Sequence, residues 1–331
     1  MSSDALENIR LRSNEIGEGR SSTTKTALIV PGGVLRSICN CGALAALNSL
    51  KINYFDTVFG VSAGALNAAY FLANQSALAV TVYLEEANRL RFINPFRFWN
   101  IMNLDYLFTE VVQGSKRLDI TALQTNRSQL RILTADISRN RSNWFTADRS
   151  DVLAIMKGAC STEVPSSRPT LIGESLCRDG YLLEPLPLLS ALKENYSDIL
   201  VLLNRPLAER DTPFPAWLQK LIINPWNRRI YGVPLARTAE RSWESYNQAL
   251  DLIHAGAYQN SEGAQTRIAA IAPEKETAVG MFETNNTRLF KAASSSWVNT
   301  MKAFGASDGS ASAFLNVLRE AGLKRTTLTE M

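Results

Sequence analysis

The sequence contains a single histidine, His254, and this scarcity limits the chemistry that the chain can perform. Most catalytic zinc sites need two or three histidine ligands, so a site of that kind cannot be built. A Ser–His–Asp triad would have to use this one residue. His254 falls near the end of a helical stretch, which is more typical of a packed or surface side chain than of a catalytic one.

Cysteine is also scarce, with four residues at positions 39, 41, 160 and 177. None of them forms a Cys-x-x-Cys pair, and four thiols in a chain of this length do not predict a secreted disulfide scaffold. We therefore expect reduced cysteines that pack as small apolar side chains.

Long apolar runs are missing as well. No stretch approaches the roughly 18 uninterrupted apolar residues of a membrane-spanning helix, so none is expected. The polar and charged residues 1–25 do not resemble a signal peptide and predict a flexible N-terminal lead. Together these features predict a cytoplasmic protein that can bind peripherally to a membrane.

The charge balance is only mildly basic, with a net charge of +4 and a pI near 8.9. It neither requires nor excludes nucleic acid, and we predict no nucleic-acid partner. It gives modest support for contact with an anionic membrane, where each nearby basic residue contributes about 1 kcal/mol. The oligomeric state is left open by the sequence.

Short apolar runs that predict buried strands alternate with helical patterns along the chain. The predicted strands are 26–30, 55–59, 131–136, 170–177, 199–203 and 267–272, and the predicted helices are 37–50, 62–74, 78–91 and 152–159. This alternation predicts an α/β fold, a three-layer α/β/α arrangement with a mainly parallel central sheet. We divide the chain into the flexible lead, a catalytic domain (26–305) and a C-terminal helical tail (306–331).

One pentapeptide carries a recognisable chemistry, the Gly-x-Ser-x-Gly sequence from Gly60 to Gly64. It lies between a predicted strand and a predicted helix, which is the setting of a nucleophile elbow. The tight turn forces the serine into an unfavourable backbone conformation, and the glycines leave room for that turn. The serine oxygen then faces outward at the helix N-terminus, so Ser62 is the candidate nucleophile.

Two further turns are candidates for supporting roles. Gly32-Gly33 follows the first strand and could expose backbone N–H groups to an anion, although it also fits a simple turn before a helix. A dinucleotide site is a poor fit there because the Gly-x-Gly-x-x-Gly pattern is absent. Asp179, which precedes Gly180 after a predicted strand, could accept the serine proton or merely form an Asp-Gly turn.

Taken together, these motifs resemble the patatin-like phospholipase family, and its bacterial members most. The order matches: a glycine-rich strand–loop–helix, then Gly-x-Ser-x-Gly, then Asp-Gly before a proline-containing segment. The resemblance spans roughly residues 26–300. It implies a patatin-like fold and a lipid acyl hydrolase with a Ser–Asp dyad, no histidine, no cofactor and no metal.

The resemblance assigns roles position by position. It implies that Ser62 is the nucleophile and Asp179 the base that activates it. The oxyanion hole that it implies is formed by the backbone N–H groups of Gly32, Gly33 and Val34. The supporting positions that it implies are Arg36, Gly60, Gly64 and Gly180.

The chain departs from the family pattern at three positions near these motifs. Val34 and Ser37 stand where the family usually has glycines, and Tyr181 stands where a small residue is usual. Because a β-branched side chain resists positive φ, we expect the oxyanion loop to adopt a different shape. Tyr181 could narrow the acyl pocket or offer its hydroxyl to the substrate.

Two segments, 91–99 and 214–231, mix aromatic with basic side chains. This composition suits peripheral contact with a membrane interface. It also suits a lid that packs its aromatic residues inward, and the sequence does not choose between the two.

Three hypotheses for the function therefore stand. The first is a lipid acyl hydrolase that cleaves fatty acyl esters of phospholipids or related lipids through an acyl-enzyme. The second is a catalytically weak relative that binds lipid or a regulatory partner, which the substitutions Val34 and Ser37 suggest. The third is a non-lipid carboxylesterase in which His254 completes a triad.

Overall fold

A computed structural model describes residues 3–97, 101–162 and 168–329. The strands within these ranges are β1 (Thr26–Val30), β2 (Thr57–Val61), β3 (Gln129–Asp136), β4 (Arg141–Thr146), β5 (Thr170–Ile172), β6 (Ser175–Asp179), β7 (Asp198–Leu202), β8 (Ala257–Gln259) and β9 (Gln265–Ile271). They form one sheet in the order β5-β6-β3-β2-β1-β7-β9-β8, with β4 paired to β3. The five central strands, from β3 to β9, are parallel, as the sequence predicted.

The helices are α1 (Ser3–Glu18), α2 (Ile38–Ser49), α3 (Ala63–Leu72), α4 (Ser76–Val82), α5 (Ile120–Thr125), α6 (Val152–Ala159), α7 (Leu188–Ala191), α8 (Ala216–Leu218), α9 (Asn224–Tyr231), α10 (Val233–Glu240), α11 (Ser242–Ala255), α12 (Asn286–Ala303), α13 (Ala311–Glu320) and α14 (Arg325–Thr329). A 3-10 turn spans Val34–Ser37, and π-helical turns span Tyr83–Ala87, Tyr106–Ser115 and Gln219–Ile223. In the described part of the chain, no helix has both the length and the hydropathy to cross a bilayer.

Helices cover both faces of the sheet. Along β1, Leu28 and Val30 pack into the core that contains α2, α3 and α12. The alternate residues Ala27 and Ile29 pack into a second core on the other face, against α11. Because successive side chains of a strand point to opposite faces, one buried strand supplies both cores. The architecture is the predicted three-layer α/β/α fold.

Two predicted elements differ in detail from the structure. The run 170–177 is a hairpin of β5 and β6 rather than one strand, because Gly173 turns the chain with φ 57°, a conformation that favours glycine. The predicted helix 78–91 is α4 followed by the π-helical turn, and it ends at Ala87.

The N-terminal segment is a packed helix rather than a flexible lead, so that expectation was wrong for residues 3–18. Helix α1 buries Ala5, Leu6 and Ile9 against the core. Arg12 also forms an ion pair with Asp56 at 2.6 Å between Nη2 and Oδ1. The apolar residues recur every three or four positions among charged ones, which gives the helix a buried face without any continuous apolar run.

The C-terminal residues 311–329 contain α13 and α14, which pack against the rest of the fold. Phe314 of α13 is fully buried, with its ring centroid 5.0 Å from that of Trp297. The backbone N–H of Lys324 donates to Glu85 Oε1 at 2.6 Å. The division of the chain at residue 305 stays a prediction.

Candidate active site

The Gly-x-Ser-x-Gly pentapeptide forms a tight turn between β2 and α3. Ser62 sits in this turn with φ 53° and ψ −133°, a positive-φ conformation rare for residues other than glycine, which costs about 1–3 kcal/mol and persists only where the surroundings enforce it. A Cβ at Gly60 would lie 2.6 Å from the Cα of Ala65. A Cβ at Gly64 would overlap the carbonyl of Val30. The two glycines therefore permit the close packing that holds Ser62 in its strained conformation.

The sheet register brings Asp179 to Ser62 from more than a hundred residues away in the chain. β3 pairs with β2 as far as Leu133, opposite Val61, and its next residue, Thr134, lies opposite Asp179 of β6. The carboxyl ends of β2 and β6 therefore meet alongside β3. A Cβ at Gly180 would lie 2.5 Å from the Cγ of Leu133, so this residue must also be small.

The two side chains are joined by a short hydrogen bond in a buried setting. Ser62 Oγ donates to Asp179 Oδ2 at 2.6 Å, and both residues are buried. The other carboxylate oxygen, Oδ1, accepts the backbone N–H of Tyr181 at 2.9 Å. A hydroxyl held this close to a carboxylate can lose its proton directly to that group during nucleophilic attack.

The loop after β1 lies against the serine. A Cβ at Gly32 would lie 2.5 Å from the Cβ of Ser62, so no other residue fits at that position without a shift. Gly33 has φ 155° and Val34 has φ 53°. Among the described hydrogen bonds, none is donated by the backbone N–H of Gly33 or Val34, whereas the next N–H, of Leu35, is used. The loop therefore offers free N–H donors beside the serine.

The valine in this loop adopts the positive φ that we expected it to resist. Two distant segments hold the loop in place. Asn204 Nδ2 donates to the carbonyl of Gly32 at 2.5 Å, and the N–H of Leu35 donates to the carbonyl of Met281 at 3.0 Å. These contacts hold the loop in a conformation that includes the strained Val34.

Arg36 and Tyr181 connect this loop to the segment that carries Asp179. Arg36 Nη2 donates to Tyr181 Oη at 3.3 Å. The ring of Tyr181 lies 3.2 Å from the position of a Cβ at Gly32. The ring of Tyr181 thus packs against Gly32, and its hydroxyl accepts a hydrogen bond from Arg36. Tyr181 is not among the described residues that line the apolar pocket beside Ser62. The arginine therefore bridges the loop and the Asp179 segment.

An apolar pocket opens beside Ser62. Most of its lining comes from three regions: the loop and helix after Ser62, the π-helical turn after α4, and the segment 92–107. The lining residues include Val34, Leu66, Asn67, Tyr70, Tyr83, Phe92, Met102, Leu104 and Cys160. A cavity of this lining suits a hydrocarbon chain.

The polar groups in the cavity wall bind other protein groups. Tyr70 Oη donates to the carbonyl of Lys116 at 2.5 Å, and Tyr83 Oη donates to Asn67 Oδ1 at 2.9 Å. Asn67 Nδ2 in turn donates to the carbonyl of Ser37 at 3.0 Å. Burial raises the pKa of Tyr83 well above its usual range, so it stays a neutral donor. The wall therefore presents an apolar surface.

The cysteines are all free and buried, which confirms that they pack as small apolar side chains. Burial raises the pKa of Cys160 well above its usual value, and the nearby Asp179 carboxylate raises it further. The thiol in the cavity wall is therefore protonated and is a poor nucleophile beside Ser62. Within the described ranges, no three His, Cys, Asp or Glu side chains cluster closely enough to hold a metal ion.

His254 lies away from this arrangement. It is an exposed residue near the end of α11, the helix that packs on the opposite face of the sheet from the cavity. The structure therefore brings Ser62 together with Asp179, and it does not place His254 where a triad needs it.

Asn204 is a site residue that the sequence reasoning missed. It follows β7, which lies beside β1 and runs parallel to it, so both strands end at the same edge of the sheet. Polar residues just beyond the carboxyl ends of parallel strands commonly form sites, and this rule could have identified Asn204. The cavity lining had no such signal, because its residues come from segments spread over much of the chain.

The segments 91–99 and 214–231 were predicted either to contact a membrane or to pack their aromatic residues inward as a lid. In 91–99, Phe92 lines the cavity and Phe96 is exposed. Phe98 and Trp99 lie outside the described residues. In 214–231, Trp217 and Trp226 are exposed. An inward-packing lid thus fits Phe92 and does not fit the tryptophans of the second segment.

Comparison with known proteins points to one family. Residues 28–192 match the family model of the patatin-like phospholipases. The uncharacterized protein YjjU of Escherichia coli (strain K12) is 25% identical over 205 residues, which cover 60% of this chain and 56% of YjjU. The chain thus spans little more than half the length of that relative. The crystal structure of VipD from Legionella pneumophila aligns with 91% of this chain and 80% of VipD, at 12% identity and a TM-score of 0.34. Through residues 28–192, which include the Gly-x-Ser-x-Gly turn and Asp179, the chain belongs to the patatin-like phospholipase family.

Proposed function

We propose that the protein is a lipid acyl hydrolase that cleaves fatty acyl esters of phospholipids or related lipids through a Ser62–Asp179 dyad. The observation that carries the proposal is the 2.6 Å hydrogen bond from Ser62 to Asp179 beside an apolar cavity. The family match supports a lipid hydrolase or esterase in general. The geometry adds a nucleophile, a base and a space for the acyl chain.

In the first half of the reaction, Ser62 Oγ attacks the ester carbonyl carbon while Asp179 Oδ2 takes the hydroxyl proton. The carbonyl oxygen becomes an oxyanion, which the free N–H groups of Gly33 and Val34 can bind; Gly32 supplies the adjacent backbone. Collapse of this intermediate breaks the bond to the leaving oxygen, which receives the proton from Asp179. The products are an alcohol, such as a lysophospholipid, and an acyl-enzyme.

In the second half, a water molecule attacks the acyl-enzyme carbonyl and gives its proton to Asp179. The second tetrahedral intermediate collapses, Ser62 recovers its proton, and a fatty acid leaves. One carboxylate therefore acts as base and acid in turn, and its position on the β3–β6 register fixes it at hydrogen-bond distance throughout. Loss of a single oxyanion donor costs on the order of 10²–10³ in rate, so the loop conformation matters as much as the dyad.

The two other hypotheses have less support. The weak-relative hypothesis was based on Val34 and Ser37 in place of glycines. Val34 takes a positive φ and its N–H donates none of the described hydrogen bonds, and the carbonyl of Ser37 accepts a hydrogen bond from Asn67 Nδ2. The triad hypothesis required His254 near Ser62, yet His254 is exposed at the end of α11. A non-lipid substrate is disfavoured because the cavity wall is almost entirely apolar.

The test is release of fatty acid from phospholipid in mixed micelles by the wild type, Ser62→Ala and Asp179→Asn. We expect measurable turnover in the wild type and a loss of at least 10² in both variants, because each removes one half of the dyad. Turnover that survives in Ser62→Ala would contradict the proposal. So would a folded wild type that releases no acid from phospholipids while it hydrolyses small, polar esters.

A further inference from the structure

A second feature of the structure is a helix whose apolar side chains face solvent. α8, the π-helical turn Gln219–Ile223 and α9 run on from one another, because Leu218, Gln219 and Asn224 all have right-handed helical dihedrals. We call this stretch, residues 216–231, the exposed helix. On it, Trp217 is 64% exposed, Leu221 70% and Trp226 49%.

These side chains lie on one side of the exposed helix. Leu221 follows Trp217 by four residues and Trp226 follows Leu221 by five, a spacing that a helix with one π-helical turn keeps on a single face. Ile222 and the preceding Phe214 are also more than half exposed and extend the patch. Monomeric proteins in water rarely expose such contiguous apolar area, and patches of this kind mark interaction sites.

The charge of the segment indicates which surface it meets. Residues 213–239 include no aspartate or glutamate, and they include Lys220, Arg228, Arg229 and Arg237. Arg228 pairs with Glu240, 3.4 Å from Nε to Oε1, while Lys220 and Arg229 are exposed. A helix with tryptophan and leucine on one face and basic residues beside them is suited to an anionic lipid interface.

The exposed helix is anchored beside the dyad. Its last residue, Tyr231, is buried with Leu183 and Ala135. Leu183 lies in the turn just after Asp179, and Ala135 pairs with the residue before Asp179 in the sheet. The helix therefore projects from the segment that holds the catalytic base candidate.

Two further exposed apolar residues are close in sequence to residues of the site. Phe96 is 85% exposed, close in sequence to Phe92 in the cavity wall. Phe282, 53% exposed, follows Met281, whose carbonyl holds the oxyanion loop. Exposed apolar groups thus also lie on two segments that contribute to the site.

We propose that the exposed helix docks the protein on an anionic phospholipid surface, with Trp217, Leu221 and Trp226 inserted at the interface. The role of this docking in delivering substrate rests on the proposed function, while the binding itself does not. Lys220 and Arg229 attract the surface, and the apolar face retains it. The membrane then lies beside the segment that holds Asp179.

The test is co-sedimentation of the full chain with vesicles of phosphatidylcholine and phosphatidylglycerol, compared with vesicles of phosphatidylcholine alone. We expect binding to the anionic vesicles that weakens at high salt, with a blue shift of tryptophan emission. The variant Leu221→Ser/Trp226→Ser should lose at least tenfold in vesicle affinity, because two exposed apolar side chains can no longer insert into the lipid interface. The matched control is Leu171→Ser, which removes a leucine that is 65% exposed on β5 and should leave binding unchanged.

The readouts separate this proposal from the function proposed above. Thermal denaturation shows that each variant is folded. Turnover of a water-soluble ester, measured without vesicles, tests the dyad and says nothing of docking. Docking is overturned if the wild type does not bind anionic vesicles, or if the double variant binds as tightly as the wild type. It is also overturned if the wild type is a dimer that Leu221→Ser/Trp226→Ser dissociates and that does not bind vesicles, because the face is then a contact between two copies.

Discussion

The two turns that meet at the site, Gly60–Gly64 and Gly32–Val34, each place a non-glycine residue at φ 53°, and they hold it by different means. Ser62 is held locally, because the glycines on either side let α3 pack against β1 and β2. Val34 is held from a distance, through Asn204 and Met281. A strained backbone conformation persists only when neighbouring contacts hold it in place. Those contacts are close in sequence for Ser62 and distant in sequence for Val34.

This difference explains why the sequence predicted the conformation of the turn Gly60–Gly64 and did not predict that of the loop Gly32–Val34. A five-residue pattern contains nearly everything that the elbow needs. The loop Gly32–Val34 has partners more than 150 residues away, Asn204 and Met281, which the loop sequence alone could not indicate. Disturbance of the elbow should therefore damage both fold and activity, while disturbance of the loop should damage activity more than fold.

The largest effect is expected from Gly64→Ala, because the new methyl group would overlap backbone carbonyl groups of β1 and the residue after it. We expect a loss of about 2–3 kcal/mol in the free energy of unfolding, typical of overpacking, and ester turnover below detection. Urea denaturation and turnover measure both. Gly114→Ala is the control, because its Cβ has no neighbour closer than 3.8 Å. If Gly64→Ala retains wild-type stability and rate, the packing account of the elbow is wrong.

Gly32→Ala should come next, with an effect mainly on rate. Its methyl group would lie 2.5 Å from the Cβ of Ser62 and displace the loop from the oxyanion position. We expect kcat for a water-soluble ester to fall by about 10²–10³, the cost of a lost oxyanion donor. Gly280→Ala, which has nothing within 4 Å, is the control. A rise in KM with unchanged kcat would instead assign Gly32 to substrate binding.

Asn204→Ala should have a smaller effect, because it removes a clamp on the loop and no reacting group. We expect kcat to fall about 10-fold to 100-fold and the free energy of unfolding to fall by about 1–3 kcal/mol, since the buried carbonyl of Gly32 loses its donor. Steady-state kinetics and denaturation give the two values. A variant as active as the wild type would show that the loop does not depend on this remote contact.

The smallest effect is expected from Val34→Gly. Glycine relieves the strain of the left-handed conformation, and it also costs backbone entropy and removes a side chain from the cavity wall. These contributions oppose one another, so we expect stability within about 1 kcal/mol of the wild type and kcat within roughly threefold, since the N–H donor is retained. A large gain in kcat would revive the hypothesis that Val34 weakens the enzyme.

The sequence was most informative where structure depends on short-range pattern. Buried strands such as β1 and β7 were identified by continuous apolar runs, and α6 was predicted with its observed bounds. Ser62 and Asp179 were proposed from local turns, and the sheet register brings them together. The register itself was not visible, because it depends on which strands pair.

Other features needed the three-dimensional structure. Helix α1 was missed because its buried face is interrupted by charges, including Arg12, which is satisfied only by Asp56 in the fold. Asn204 directly follows a predicted strand and could have been proposed as a site residue, but its contact with Gly32 depends on the pairing of β7 with β1, which the sequence does not show. The exposed helix carries a composition that was noticed, but only the structure shows that Trp217 and Trp226 face solvent.

The central claim, that a serine–aspartate pair without histidine performs the chemistry, is tested most directly by the rate of fluorophosphonate labelling with peptide mapping. The wild type and His254→Ala should label at Ser62 at rates within about twofold of each other, because His254 lies outside the site. Asp179→Asn should label about 10²–10⁴ times more slowly, since the base is lost. Slow labelling of His254→Ala together with fast labelling of Asp179→Asn would contradict the account.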